Sequence, residues 1–198
     1  MDKMHANGMA KKCELAKYPL LWIDLEMTGL DAQRDAILEI AVVTTDTSLD
    51  CVIEGPSLVI HQPDEVVGRM DQWCYEHHTA SGLLESVRQS KITLANAERE
   101  IIAFIKRYCD EKRLFFAGNS VYQDRNFLQH YLPTLNALGH YRIIDVSSVK
   151  ELVRSWYPKD PQANFKKRKH HRALDDIYES IAELAHYRRF FFKARAER

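Results

Sequence analysis

The sequence predicts a single α/β domain. Its 198 residues are 45% hydrophobic, which suits one compact core that buries about two thirds of the unfolded surface. Short runs rich in β-branched and aromatic residues occupy the first part of the chain, and segments of helical periodicity dominate after residue 93. No internal repeat or low-complexity segment interrupts this order.

Residues 1–18, MDKMHANGMAKKCELAKY, have no sustained apolar period and are expected to form a disordered tail, with the folded domain running over 19–198. From Pro19 the elements alternate. LLWIDL (20–25) reads as a buried strand, Gly29 as a turn, and AILEIAVVTTD (36–46) as a second strand by its β-branched content. SLVIH (57–61) reads as a third. Around Thr93 helical periodicity begins, with Ile101, Ile102, Ile105 and Tyr108 recurring at spacings near a helical turn among charged residues. LFFAGN (114–119) reads as a strand, YQDRNFLQHYL as a helix, YRIIDVS (141–147) as extended, and SVKELVRSW as a helix. ALDDIYESIAELAHYRRFFF closes the chain as a long helix. The stretch 157–171, with Pro158 and Pro161, is expected to be irregular and to border the functional site.

Charge limits the function. The 28 basic residues balance 28 acidic ones, so the chain lacks an extended cationic track for long nucleic acids, and any phosphate site should be local. No apolar run approaches the roughly 20 residues that span a bilayer, and the first 18 residues carry neither a signal-peptide core nor the arginines of a transit peptide. The expectation is a soluble cytoplasmic protein with no membrane association and no obligate protein partner. Cys13, Cys51, Cys74 and Cys109 form no C-x-x-C pair and are expected to be reduced thiols.

Within LLWIDLEMTGL the strand carries two acids, Asp24 and Glu26. Strand side chains alternate between faces, so these two project from the same one. Taking an ionised carboxylate out of water costs several kcal/mol, and a second beside it adds repulsion, so the pair needs a cation or a proton. A solvated strand end would also tolerate them. Asp124 follows a strand-to-helix turn in AGNSVYQDRNFL, and His170, His171, Asp175 and Asp176 open the last helix. Taken singly, Asp124 reads better as a helix cap than as a functional acid, and capping or dipole effects also account for Asp175 and Asp176.

Taken together, WIDLEMTGL, HHTASGLLESV, AGNSVYQDRNFL, YRIIDVSSVKEL and HRALDDIYESIAEL resemble the DEDDh family of exonucleases that act from the 3′ end, and within it the oligoribonucleases. The resemblance runs from about Pro19 to about Lys193. It implies a ribonuclease H-like fold, a mixed β-sheet flanked by α-helices. It also implies that Asp24, Glu26, Asp124 and Asp176 are catalytic metal ligands and His171 the general base. His170 and Asp175 share the spacing of His171 and Asp176. The family's His, any residue, Ala, Leu, any residue, Asp pattern aligns on the latter pair, and Asp176 stacks with Ala173 and Ser180 whereas Asp175 stacks with Glu179.

Four carboxylates carry about four negative charges, which two divalent ions neutralise, and all-oxygen ligation favours Mg²⁺ or Mn²⁺ over zinc. His171, with a reference pKa of about 6.5, suits proton acceptance near neutrality. The product would be a nucleoside 5′-monophosphate. The resemblance further implies that Leu30 wedges between two bases, that Trp73 offers a stacking face, and that His78 contacts substrate. Ser120, Tyr141, Arg142 and Ser147 would hold the far end of a very short RNA oligonucleotide. In the family Tyr141 and Arg142 reach over from the second subunit of a homodimer, so Tyr141 counts among both the catalytic and the substrate-binding residues. Ordinary core packing is the competing explanation for Leu30 and Trp73.

Three other features are weighed against function. KKRKHHR (166–172) reads as a solvated, phosphate-attracting loop rather than a nuclear address. Cys74 with His77 and His78 lacks a second ligand pair for structural zinc. Tyr122, Cys74 and the 158–169 segment depart from the family pattern, which bears on local contacts and not on the acids. A DNA-proofreading exonuclease shares the same five catalytic positions, and a silent nucleotide-binding module could share the fold. The segments MTGLD and HYRIIDVSS favour the oligoribonucleases, and the complete set of acids favours an enzyme.

Overall fold

A computed structural model of the chain describes residues 19–109, 114–166 and 172–193. The expected tail over 1–18 lies outside the described residues. Five strands form one mixed sheet in the order β3-β2-β1-β4-β5. β1 (Leu20–Met27), β2 (Ile37–Thr45) and β3 (Val52–Val59) are an antiparallel meander. β4 (Phe115–Gly118) lies parallel to β1, and β5 (Ile144–Asp145) parallel to β4. Helices α1 (Asp64–Val67), α2 (Gln72–Ala80), α3 (Leu83–Gln89) and α4 (Leu94–Tyr108) lie between β3 and β4. α5 (Val121–Tyr131) and α6 (Pro133–Leu138) join β4 to β5, and α7 (Val146–Trp156) and α8 (Ala173–Phe191) complete the chain.

The alternation along β1 sorts its residues between two cores. Leu21, Ile23 and Leu25 join Ile40 and Val42 of β2 against Ile101, Phe104 and Ile105 of α4 and Phe127 and Leu128 of α5. Leu20 and Trp22 join Ala41 and Val43 against Val153 of α7 and Ile177, Ile181 and Tyr187 of α8. Both faces of β2 are therefore covered, and all nine of its residues are buried. Trp22, wholly enclosed, satisfies its indole by donating Nε1–H to Thr45 Oγ1 at 2.8 Å, as a buried polar group must.

The β-branched runs at 20–25, 36–46 and 114–119 are strands, and the helices expected after Thr93, over 122–132, over 148–156 and at the C-terminus are present. Three differences have local causes. The third strand starts at Val52, ahead of SLVIH, because it pairs along β2 from Thr45 to Glu39. The extended run expected over 141–147 shrinks to Ile144–Asp145, because Asp145 accepts the N–H groups of Ser147 and Ser148 and so opens α7 at Val146. The sequence also gives no hint of α2: QWCYEHHTA buries only Cys74 and His78, too little for a visible stripe. Cys74 and Cys109 are free thiols, whereas Cys51 is disulfide-bonded, contrary to the expectation of four reduced cysteines. Among the described residues no helix is long and apolar enough to cross a membrane.

Candidate active site

The face of β1 that carries Leu20 and Trp22 continues through Asp24 and Glu26, and α8 packs along it. The first turn of α8 thereby brings Asp176 to the two strand acids. One carboxylate oxygen from each of Asp24, Glu26 and Asp176 lies within 4.8 Å of the others. Asp175, one residue earlier, is exposed and outside this group. Burial pushes the Glu26 carboxyl up to about 8, reinforced by the charges of Asp176, Glu39 and Asp124 and opposed by that of Arg172. Three half-buried carboxylates that converge this closely, one of them holding its proton to neutral pH, fit a divalent cation with oxygen ligands.

Asp124 reaches the same region from the open edge of β1. β4 pairs with β1 only as far as Trp22 and ends at Gly118. Gly118 passes so close to β1 that a Cβ there would stand 3.0 Å from Ile23 O. The chain then turns through Ser120, held in the left-handed region at φ 51°, into α5, whose first turn carries Asp124. With no strand left to pair, the N–H of Leu25 donates instead to Asp124 Oδ1 at 2.9 Å. Burial raises the Asp124 carboxyl to about 7, against the lowering effect of N–H bonds from Leu25 and from its own backbone.

A residue absent from the sequence reasoning anchors the other side. Glu39 stands opposite Glu26 in the β1–β2 register and its side chain is only 1% exposed. Arg172 grips it with one edge of its guanidinium, Nη2 donating to Oε1 at 2.7 Å and Nε to Oε2 at 2.9 Å, and Ala173 N–H adds a bond to Oε2 at 3.3 Å. The clamp fixes the residue that caps α8 and hence the turn bearing Asp176. The signal was present in ILEIAVV, an acid inside an apolar strand like the pair in β1. His171 lies outside the described residues.

Among the expected substrate contacts, His78 lies against the acids. His78, buried on α2, shares a 2.9 Å hydrogen bond with the Met27 carbonyl and places its Nδ1 3.8 Å from Glu26 Oε2. Leu30 is 74% exposed at the tip of the loop after β1. Asp35 shapes that loop, accepting from Thr28 Oγ1 and Asp31 N, and a Cβ at Gly29 would stand 2.4 Å from the Asp35 carboxylate. Gln123 donates to the Leu30 carbonyl and ties the loop to α5. Leu30 borders two open cavities, one of about 1060 Å³ reaching Arg69 and Asp71, the other of about 660 Å³ reaching Asn126, Gln129 and His130. Trp73 is exposed and stacks on His77 at 3.8 Å.

Ser120 and Ser147 meet at 3.2 Å between their hydroxyl oxygens, at the starts of α5 and α7. Tyr141 is 71% exposed. Its ring packs on His140 at 4.3 Å and under the Arg142 guanidinium at 5.0 Å, while its carbonyl accepts from Arg125. Within one chain, then, Asp24, Glu26 and Asp176 converge with Asp124 beside them, and Tyr141 and Arg142 form a separate exposed pair.

A mixed sheet whose central strand delivers two acids to a third on the closing helix defines an exonuclease-type domain, and the family model for exonucleases matches residues 21–184. The chain belongs to that family, and within it to the oligoribonucleases. It is 49% identical over 178 residues to the mitochondrial oligoribonuclease of Homo sapiens, covering 90% of this chain and 75% of the relative. It is 51% identical over 174 residues to the oligoribonuclease of Yersinia enterocolitica, covering 88% and 96%. The fold also matches E. coli exonuclease I solved with a dT13 oligonucleotide, with a TM-score of 0.68 at 13% identity. There the match covers 89% of this chain and 42% of the other. The ribonuclease H-like, single-domain α/β fold expected from the sequence is the one observed.

Proposed function

We propose that this nuclease removes nucleotides from the 3′ end of very short oligoribonucleotides, above all dinucleotides, releasing nucleoside 5′-monophosphates. The observation that carries the reading is the convergence of Asp24, Glu26 and Asp176 with Asp124 beside them, in a chain about half identical to oligoribonucleases. The four carboxylates would hold two divalent ions, Mg²⁺ or Mn²⁺ by the chemistry of their oxygens. Bound there, the ions supply Lewis-acid activation of water and of the scissile phosphate.

His171 accepts the proton of the attacking water. The water oxygen bonds to phosphorus, the bond from phosphorus to the 3′ oxygen breaks, and that oxygen takes a proton from solvent. His78 steadies Glu26 and the end of β1 and faces the substrate. Leu30 parts the two bases and Trp73 stacks on one of them. Ser120 and Ser147 receive the far terminal phosphate, and Tyr141 and Arg142 act on the site of a second subunit in a homodimer. The exposure of Tyr141 and Arg142 supports that last assignment. The reading includes a folded domain over 19–198 and a cytoplasmic location with no obligate protein partner.

The test is to incubate the protein with labelled RNAs of two to twenty nucleotides, with and without Mg²⁺, beside DNA dinucleotides. Preferential loss of RNA dinucleotides in Mg²⁺ is expected. Equal turnover of all lengths, or preference for DNA, would overturn the reading.

A further inference from the structure

Behind Ser147 lies a chain of polar side chains that the reaction does not use directly. Glu183 of α8 is buried, and its carboxylate accepts the Tyr187 hydroxyl at 2.9 Å on Oε1 and the Asn119 amide at 3.0 Å on Oε2. The same Asn119 Nδ2 also donates to Ser147 Oγ at 3.3 Å. On its other side, Asn119 Oδ1 is 2.6 Å from Ser180 Oγ, which is itself 2.8 Å from the backbone carbonyl of Asp176. Asn119 thus touches Ser147 at the start of α7 and, through Ser180, the turn of α8 that bears a metal-site acid.

The orientation of the Asn119 amide follows from its partners. A carboxylate only accepts, so the Asn119 end facing Glu183 must be the NH₂ group and the end facing Ser180 the carbonyl. The second amide proton then goes to Ser147 Oγ, which is an acceptor on its inner side. Ser120 Oγ lies 3.2 Å from Ser147 Oγ. Because Ser147 Oγ accepts from the amide, its own proton is left for an acceptor on the side away from Asn119. A terminal phosphate is an acceptor and needs donors of this kind.

We propose that Asn119 is a positioning residue whose amide, oriented by the buried Glu183 carboxylate, sets Ser147 as an outward hydrogen-bond donor to the terminal phosphate of the substrate. This rests on the reading above that Ser120 and Ser147 receive that phosphate. Asn119→Asp inverts the logic: an acceptor replaces the amide group facing Ser147, and the Ser147 proton turns inward. Glu183→Gln frees the amide of Asn119 to flip.

The test compares a 5′-phosphorylated RNA dinucleotide with the same dinucleotide ending in a 5′-hydroxyl. Affinity is read by fluorescence polarisation in Ca²⁺ and turnover in Mg²⁺, with thermal unfolding as the folding control. Wild type should favour the phosphorylated probe, and Asn119→Asp and Asn119→Ala should cut that preference by about tenfold, the weight of one charge-assisted hydrogen bond. Affinity for the hydroxyl probe should change much less. In a Ser147→Ala background the Asn119 substitutions should cost nothing further, because the group through which they act is gone. A merely structural Asn119 would weaken both probes alike, and that result would overturn the proposal, as would additive losses in the double variant. A wild-type protein that prefers the phosphorylated probe yet does not cleave it would sink the functional reading alone. Equal affinity of wild type for both probes would sink the proposal whatever is cleaved.

Discussion

Arg172→Ala removes the only side-chain cation bonded to Glu39 among the described residues, and the cost can be worked from the geometry. The Glu39 carboxylate, 1% exposed, would keep the single N–H of Ala173 at 3.3 Å and lose the contacts of 2.7 and 2.9 Å. Breaking a buried ion pair by deleting one partner costs about 3–5 kcal/mol, because the other charge is left without compensation. Arg172 is itself 34% exposed, so water reaches its side of the pair and the low end, about 3 kcal/mol, applies. For a domain of this size that corresponds to a fall in Tm of about 6–12 °C. The double variant Glu39→Gln/Arg172→Met leaves no orphan charge and should fall by clearly less than Arg172→Ala.

The assay is thermal unfolding without metal at one pH, followed by titration with Mg²⁺. Arg172 also opposes the raised proton affinity of Glu26, so its loss should weaken metal binding at neutral pH as well. A Tm within about 2 °C of wild type, or a double variant less stable than Arg172→Ala, would show that the clamp does not hold the start of α8.

Stability of the metal-free protein should fall as pH rises from about 5 to 8, since Glu26 titrates near 8 when folded and near 4.3 when unfolded, so the folded state binds the extra proton between those values. Saturating Mg²⁺ should flatten that slope, and a metal-free Tm that climbs over this range would contradict it. Asp176→Ala should abolish Mg²⁺ binding measured by calorimetry, whereas Asp175→Ala, at an exposed position, should stay within a fewfold of wild type; the reverse order would move the ligand by one residue. Mixing dead Asp124→Ala and Tyr141→Ala subunits should restore about a quarter of wild-type activity per site, because half of randomly exchanged dimers are mixed and each holds one intact site. No recovery after exchange confirmed by mass would confine Tyr141 to its own subunit.

What could be read from the sequence was what local spacing encodes. The period of two places Asp24 and Glu26 on one face, and the period of a helix separates Asp176 from Asp175; both follow from neighbours within a few residues. The short β5 was misjudged because IIDVS is β-branched, while a single aspartate cap at Asp145 turns the chain into α7 after Ile144. Glu39, Asn119 and Glu183 were passed over because their partners are remote: Arg172 is 133 residues from Glu39 and Glu183 is 64 from Asn119.

The buried acids nonetheless obey one rule, and the manner in which each satisfies it separates structure from chemistry. Glu39 is balanced by a guanidinium and Glu183 by a phenol and an amide, so both are settled within the fold. Asp124 takes a backbone N–H that the end of β4 left unpaired, yet its carboxyl still rises to about 7. At Glu26 the lowering influence of Arg172 is outweighed by burial and three carboxylates, and the carboxyl rises to about 8. A carboxyl that meets neutral pH by keeping a proton is one that a divalent cation can recharge by displacing that proton. The acids whose burial the fold leaves uncompensated are therefore the ones grouped with Asp24 and Asp176, and the same imbalance that costs the fold stability gives a metal its hold there.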